Sequence, residues 1–128
     1  MIGCEVAEFL ADKGKRVTIV EMLAKVGQDI GATTRWVSIG RLRDLGVEML
    51  RLAKLEAVTD SGVTISKEDQ SQNIEADTVV IAVGLEPNGK LFEALKSELR
   101  NLHAIGDCVE VNRMLEAIHQ GWQVGCEI

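Results

Sequence analysis

The chain has 128 residues, of which 46% are hydrophobic and 27% are charged, with a net charge of -6 and a single proline. This composition is typical of one folded globular domain and excludes a disordered segment. The negative charge, without any basic cluster, argues against nucleic acid as a partner.

The sequence shows no membrane segment and no targeting signal. No apolar run reaches the roughly 18 residues that cross a bilayer, and the amino terminus has a helical pattern instead of a signal-peptide pattern. We therefore expect a cytoplasmic protein without a membrane partner. Cys4, Cys108 and Cys126 are widely spaced, so they predict small buried side chains and neither a disulfide framework nor a metal site.

Helix and strand signals alternate along the first part of the chain. Apolar residues at helical spacing predict two helices, and a β-branched run predicts a buried strand between them. The predicted ranges are 2–13 for the first helix, 17–21 for the strand and 29–45 for the second helix. Gly14 stands where a helix terminator belongs, and Asp29 has the side chain of an N-cap.

The remaining chain predicts a β-meander, a strong strand and two further helices. Short alternating segments over residues 47–65, with the turn signal Asp60-Ser61-Gly62, predict an antiparallel excursion. The polar segment 66–73 predicts a solvent loop, and the apolar run 78–83 predicts the central strand. The other predicted elements are a turn over 86–89, a helix over 91–99, a strand over 102–105 and a helix over 113–128.

The order of these elements predicts the fold class. It is an α/β protein with a Rossmann-like three-layer domain, in which a parallel core sheet is joined by a β-meander. The series opens on a helix where a βαβ series opens on a strand. We therefore expect the first strand to be missing.

The amino terminus matches the last three places of the dinucleotide fingerprint G-x-G-x-x-G, because Met1 and Ile2 precede Gly3 and a helix follows. In that fingerprint the last glycine lets the helix pack on the sheet, and the pyrophosphate lies at the helix N-terminus. Glu21 ends the next strand, where an acid accepts hydrogen bonds from ribose hydroxyls and disfavours a 2′-phosphate. Gly3 and Glu21 are thus predicted to bind NADH, although each alone is common as a packing glycine or a solvated acid.

Two later stretches resemble flavoproteins that have two dinucleotide-binding folds. Residues 76–88, ADTVVIAVGLEPN, are similar to the second signature of that family, and residues 102–108, LHAIGDC, are similar to its late FAD motif. The resemblance implies that Gly84 lets the backbone run close to NADH. It also implies that Gly106 and Asp107 face FAD, with Asp107 at the ribityl or pyrophosphate region; alone, this pair would indicate a turn before a helix.

Within this superfamily the chain most resembles the C-terminal half of the 2,4-dienoyl-CoA reductase, NADH oxidase and trimethylamine dehydrogenase group. The matching stretches are residues 1–21, 29–43, 105–110 and 117–121. The resemblance implies a truncated NAD(H)-binding domain over residues 1–100 and a segment over residues 101–128 that returns to the FAD-binding domain. Members of the group add a flavin-bearing barrel and an iron-sulfur cluster, so FMN and that cluster are expected in missing domains.

The implied chemistry is hydride transfer from NADH to FAD, in which the cofactors react and the protein positions them. No catalytic residue is therefore predicted, and the chain alone is expected to be inactive. His103 and His119 lack nearby partners for general-base chemistry, and Trp36 and Trp122 are predicted to be packing residues. Two alternatives stay open: a nucleotide-binding module without catalysis, and a module that dimerises through an unpaired sheet edge.

Overall fold

A computed structural model describes all 128 residues. Its elements are α1 (Ile2–Asp12), β1 (Thr18–Glu21), α2 (Ala32–Asp44), β2 (Glu48–Arg51), β3 (Lys54–Thr59), β4 (Gly62–Lys67), β5 (Gln70–Glu75), α3 (Lys90–Leu95) and α4 (Met114–Glu127). A short 3-10 helix over Gly106–Cys108 precedes α4. The chain divides into two compact units, Met1–Val83 and Gly84–Ile128.

In Met1–Val83, β1 and β2 form a parallel two-stranded sheet that separates two hydrophobic cores. Successive side chains of a strand point to opposite faces. Accordingly, Ile19 and Met49 pack against the core under α1 and α2, whereas Val20 and Leu50 pack against the core of the meander. The first core contains Cys4, Ala7, Val26, Ile39, Leu42 and Val47, and the second contains Ala53, Val63 and Ile65. This confirms the predicted α/β, Rossmann-like fold class.

Both helices of this unit are close to their predicted ranges, and each is followed by a glycine in the left-handed region. Gly14 and Gly46 each have a φ of 74°, which side chains other than glycine adopt only with strain. The start of α2 differs from the prediction, because its N-cap is Gly31. Asp29 contacts the Met1 ammonium group instead. The prediction of Asp29 as an N-cap is therefore wrong.

The meander β3-β4-β5 is antiparallel and includes the segment that the sequence predicts as a solvent loop. β4 and β5 meet at Glu68 and Asp69, whose φ values of 51° and 60° are both left-handed. Two such residues are typical of the type I′ turn that joins tight hairpins. The loop prediction for residues 66–73 is wrong, because β5 is an edge strand whose side chains are mostly exposed and so carries no apolar alternation.

The predicted turn between β3 and β4 depends on Gly62. This residue has a φ of 142°, and a Cβ placed there would lie 2.1 Å from the carbonyl oxygen of Ile74. Only glycine allows β5 to approach so closely at this point.

Between β2 and β3 the chain passes through Leu52, a residue other than glycine with a φ of 53°. The Leu52 N–H donates to the Leu23 carbonyl oxygen at 3.2 Å, and the Ala53 N–H donates to the Glu21 carbonyl oxygen at 3.1 Å. A non-glycine residue in this region costs about 1–3 kcal/mol. The crossing from the parallel sheet to the meander is thus tied to the segment that follows β1.

The apolar run over residues 78–83 forms no ladder with another strand, so the prediction of a central strand is wrong. Val79 packs against the meander core, but Val80, Ile81 and Val83 are 52%, 58% and 88% exposed. A strand requires backbone hydrogen bonds to a neighbour, and β1 and β2 pair only with each other.

Gly84–Ile128 contains α3, the 3-10 helix and α4, and none of its residues is buried. α3 has six residues and is shorter than the predicted helix, because residues 96–98 form a turn. Residues 102–105 are not in a strand, contrary to the prediction, since no strand of the chain pairs with them. α4 agrees with its predicted range. No helix of the chain combines the length and the apolar character that crossing a membrane requires.

The prediction that Trp36 and Trp122 are packing residues is wrong, and so is the prediction that all three cysteines are buried. Trp36 and Trp122 are 73% and 65% exposed, and Trp122 stacks on His119 with ring centroids 5.9 Å apart. All three cysteines are free, but only Cys4 is buried, whereas Cys126 is exposed.

Candidate functional site

Gly3 lies in the first turn of α1, against the run of residues 78–83. A Cβ at Gly3 would be 3.2 Å from the Ala82 Cβ, which is closer than ordinary van der Waals contact. The start of α1 therefore lies nearer to this run than a side chain at position 3 would easily allow. The first N–H groups of a helix have no partner within it, and together with the helix dipole they favour an anion.

Glu21 ends β1 at the carboxyl edge of the parallel sheet. Its Oε1 accepts a hydrogen bond from the Leu23 N–H at 3.0 Å, and the residue is half-buried. Its partner in the register of the parallel pair is Arg51. Ligands of open α/β sheets bind outside the carboxyl ends of the strands, so Glu21 lies at the edge where a ligand is expected.

The loop that follows Glu21 lies against the start of α1, because a Cβ at Gly27 would be 3.2 Å from the Cys4 Sγ and the Met1 ammonium contacts Asp29. Burial raises the pKa of Cys4, the Met1 ammonium lowers it, and the carboxylates of Asp29 and Glu21 raise it. Gly3 adjoins Cys4 in the chain, so the first turn of α1 and the loop after Glu21 lie at the same end of Met1–Val83.

The loop between β1 and α2 is held by Arg35, a residue that the sequence reasoning missed. The Arg35 guanidinium donates from Nε at 3.0 Å and from Nη2 at 2.8 Å to the Val26 carbonyl oxygen. Val26 itself is 3% exposed. A single arginine on a helix forms no recognisable pattern, so only the position of Val26 in space reveals this contact.

The remaining predicted residues lie in Gly84–Ile128. Gly84 has a φ of 119°, and a Cβ at this position would meet only open space, so the backbone conformation alone favours glycine. Gly106 has a φ of 68°, and Asp107 follows it in the 3-10 helix. These two residues are neighbours in the chain, and no hydrogen bond joins either of them to Gly84.

Two residues that sequence reasoning did not assign to the site hold this short helix in place. The Gly106 N–H donates to Gln120 Oε1 at 2.6 Å, and the Asn112 N–H donates to Asp107 Oδ1 at 3.3 Å. Asp107 thereby orders the turn that leads into α4, and Gln120 ties Gly106 to that helix. Gln120 belongs to the AIHQG stretch at residues 117–121 that carries the family resemblance, which was the available signal.

A mostly apolar cavity of about 490 Å³ also lies in Gly84–Ile128. Its wall is formed by Gly89, Phe92, Glu93, Leu102, His103, Ala104, Cys108, Val109 and Val124. None of the predicted site residues lines it.

The chain belongs to the pyridine nucleotide-disulphide oxidoreductase family, whose sequence profile matches residues 1–123. It is 32% identical over 130 residues to the NADH oxidase of Thermoanaerobacter brockii, covering 100% of this chain and 20% of that protein. The structure of a 2-naphthoyl-CoA reductase in complex with 2-naphthoyl-CoA matches with a TM-score of 0.89 and 29% identity, over 99% of this chain and 20% of the other. The water-forming NADH oxidase from Lactobacillus brevis bound to NADH matches with a TM-score of 0.55 and 27% identity, over 82% of this chain and 23% of the other.

These matches confirm the resemblance to the flavoprotein group of dienoyl-CoA reductases and NADH oxidases that the sequence predicts. The chain is an oxidoreductase-type domain. It spans about a fifth to a third of the length of the relatives it matches.

Proposed function

We propose that this chain is the NADH-binding part of an FAD-dependent oxidoreductase that transfers a hydride from NADH to FAD. The observation that carries the proposal is the close approach of Gly3 to Ala82 at the start of α1, with the loop that follows Glu21 against the same end of that helix. Residues 1–100 serve the nicotinamide nucleotide, and residues 101–128 belong to the FAD-binding part. For Gly84 the family resemblance implies a backbone that runs close to NADH, and the open space at the position of its Cβ is compatible with that role.

The residues at the start of α1 fit a dinucleotide. The absence of a side chain at Gly3 lets the start of α1 pack closely on residues 78–83, and the amides and dipole of α1 stabilise a pyrophosphate at that end. The Glu21 carboxylate accepts hydrogen bonds from the adenosine ribose hydroxyls, and its negative charge repels the 2′-phosphate of NADPH. The Leu23 N–H holds that carboxylate in place.

Gly106 and Asp107 fit a flavin dinucleotide at the start of α4. Asp107 lies at the ribityl or pyrophosphate region, where its carboxylate can accept hydrogen bonds from ribityl hydroxyls. The N-terminus of α4 stabilises negative charge on a reduced flavin. FAD supplies the acceptor for the hydride. The chain covers 20% of the NADH oxidase and of the 2-naphthoyl-CoA reductase. As the family resemblance implies, we assign FMN, an iron-sulfur cluster and the substrate site to further domains, and we expect the chain to be inactive without them.

Calorimetric titration of the purified chain with NADH and NADPH tests the nucleotide site. We expect NADH to bind more tightly than NADPH. Glu21→Ala should weaken the binding of NADH by about tenfold, which corresponds to a loss of about 1.4 kcal/mol. The same variant should reduce the difference in affinity between NADH and NADPH. Glu75→Ala, at the exposed end of β5, serves as the control and leaves both affinities unchanged. A wild-type chain that binds neither nucleotide contradicts the proposal.

The absorbance spectrum of the purified chain tests the flavin site. We expect the chain alone to be colourless, and a longer protein that includes it to carry FAD that NADH reduces. FAD bound to the isolated chain would contradict the proposed division of the cofactor sites. NADH binding without flavin reduction in the longer protein would favour the alternative of a nucleotide-binding module without catalysis.

A dimerising module is the second candidate, favoured by the unpaired apolar run over residues 78–83. Val80, Ile81 and Val83 are exposed, and an unpaired extended segment can pair with another chain. Light scattering after size-exclusion chromatography would then show a dimer that Ile81→Lys converts to a monomer. A monomer at every concentration removes this candidate.

A further inference from the structure

Leu52 combines a strained backbone with an exposed side chain. Its φ of 53° lies in the left-handed region, yet its side chain is 60% exposed. The chain uses glycine at most other positions with positive φ, including Gly46 and Gly62. Burial of the side chain therefore does not explain why a bulky residue occupies position 52.

The location of Leu52 is the carboxyl edge of the parallel sheet. It follows β2 directly, and its N–H donates to the carbonyl oxygen of Leu23, two residues after Glu21. Since ligands of α/β sheets lie outside this edge, Leu52 and the segment after β1 border the same space.

Exposed apolar side chains cluster at this edge. Met22, Leu23 and Leu52 are 63%, 47% and 60% exposed. Isolated exposed apolar residues are ordinary, but these three follow the ends of two neighbouring strands and adjoin Glu21. An apolar surface beside an acid that binds ribose matches adenosine, in which one glycosidic bond separates a polar sugar from a flat apolar base.

We propose that Leu52 is a specificity-determining residue whose side chain, with that of Leu23, forms the surface that contacts the adenine ring of NADH. This inference rests on the proposed function and adds to it the residue that selects the base. The Ala53 N–H donates to the Glu21 carbonyl oxygen, so the left-handed residue directly precedes a residue that is bonded to the strand end carrying Glu21.

Paired measurements of stability and binding on the full chain test this role. Leu52→Gly relieves the backbone strain and removes the side chain, so we expect it to unfold at the same or a higher urea concentration than the wild type. We expect the same variant to bind NADH and ADP-ribose about tenfold more weakly. Leu52→Met keeps an apolar side chain and retains the affinity of the wild type, whereas Leu52→Asn tolerates the left-handed region but weakens binding like glycine.

The outcomes distinguish a role of Leu52 in binding from a role in folding alone. Weaker binding with undiminished stability supports the proposal, because a residue that only maintains the fold would lose both together. Wild-type binding of NADH and ADP-ribose that neither Leu52→Gly nor Leu52→Asn reduces overturns this inference alone. A wild-type chain that binds neither compound overturns the proposed function and this inference with it.

Discussion

The contact between Gly3 and Ala82 sets the distance between α1 and residues 78–83. Gly3→Val would force a branched side chain into a space where a Cβ alone lies 3.2 Å from the Ala82 Cβ. We expect a loss of about 1–3 kcal/mol in the free energy of unfolding, which is the usual effect of overpacking, measured by urea unfolding. Gly40→Ala is the control: nothing lies within 4 Å of a Cβ there, so we expect a gain of about 0.5–1 kcal/mol from helix propensity.

The cause of this loss can be checked with a second substitution. Ala82→Gly removes the atom that a side chain at position 3 would meet, and in the Gly3→Val background it should recover part of the lost stability. If the two effects simply add, the contact is not what limits position 3.

The buried thiol of Cys4 predicts a loss of stability at alkaline pH. Burial raises its pKa above the ordinary value of 9.0, so the folded state favours the neutral thiol. The resulting stabilisation is complete below the unfolded pKa and is lost as the pH rises through the folded pKa. We expect the free energy of unfolding to fall more between about pH 7 and about pH 10 in the wild type than in Cys4→Ala. Cys126→Ala, which removes an exposed thiol, should follow the wild type.

At the scale of elements, the hairpin between β4 and β5 contains a turn with unsuitable residues. Glu68 and Asp69 both have left-handed φ values, which asparagine and glycine adopt with less strain. We expect the Glu68→Asn, Asp69→Gly double variant to stabilise the chain by about 1 kcal/mol, because each replacement removes backbone strain. Thermal unfolding measures the gain. A Glu68→Ala, Asp69→Ala control should show none, and an equal gain in both variants would mean that charge removal is the cause.

The elements that the sequence predicts well are those whose own residues specify them. α1 and α4 are amphipathic. Gly14 follows α1 and Gly46 follows α2, each in the left-handed conformation that glycine allows. Strands are predicted poorly, because a strand exists only where its backbone pairs with another strand. Residues 78–83 have the composition of a central strand but no partner, whereas β5 has the composition of a loop and pairs with β4.

The candidate site shows the same limit. Gly3 and Glu21 can be predicted from spacing, because a fingerprint fixes their separation along the chain. Arg35 and Leu52 cannot, since their importance comes from the carbonyl oxygens of Val26 and Leu23, which only the fold brings near.

At the scale of the whole molecule, the two compact units differ in burial. All of the buried residues lie in Met1–Val83, and none lies in Gly84–Ile128. Regions with little burial open at low free energy. We expect amide hydrogens of α3 and α4 to exchange with solvent faster than those of α2 and β4, as measured by mass spectrometry. Equal protection of α4 and β4 would show that the chain opens only as one unit.

The hydrogen bonds from Arg35 to Val26 also affect how quickly a ligand can bind. They fix the loop after Glu21 before any nucleotide arrives, so little ordering remains to be completed on encounter. Under the proposed function, a nucleotide would therefore meet a loop that needs little rearrangement. Differences in affinity between nucleotides would then arise chiefly from how long each one stays bound.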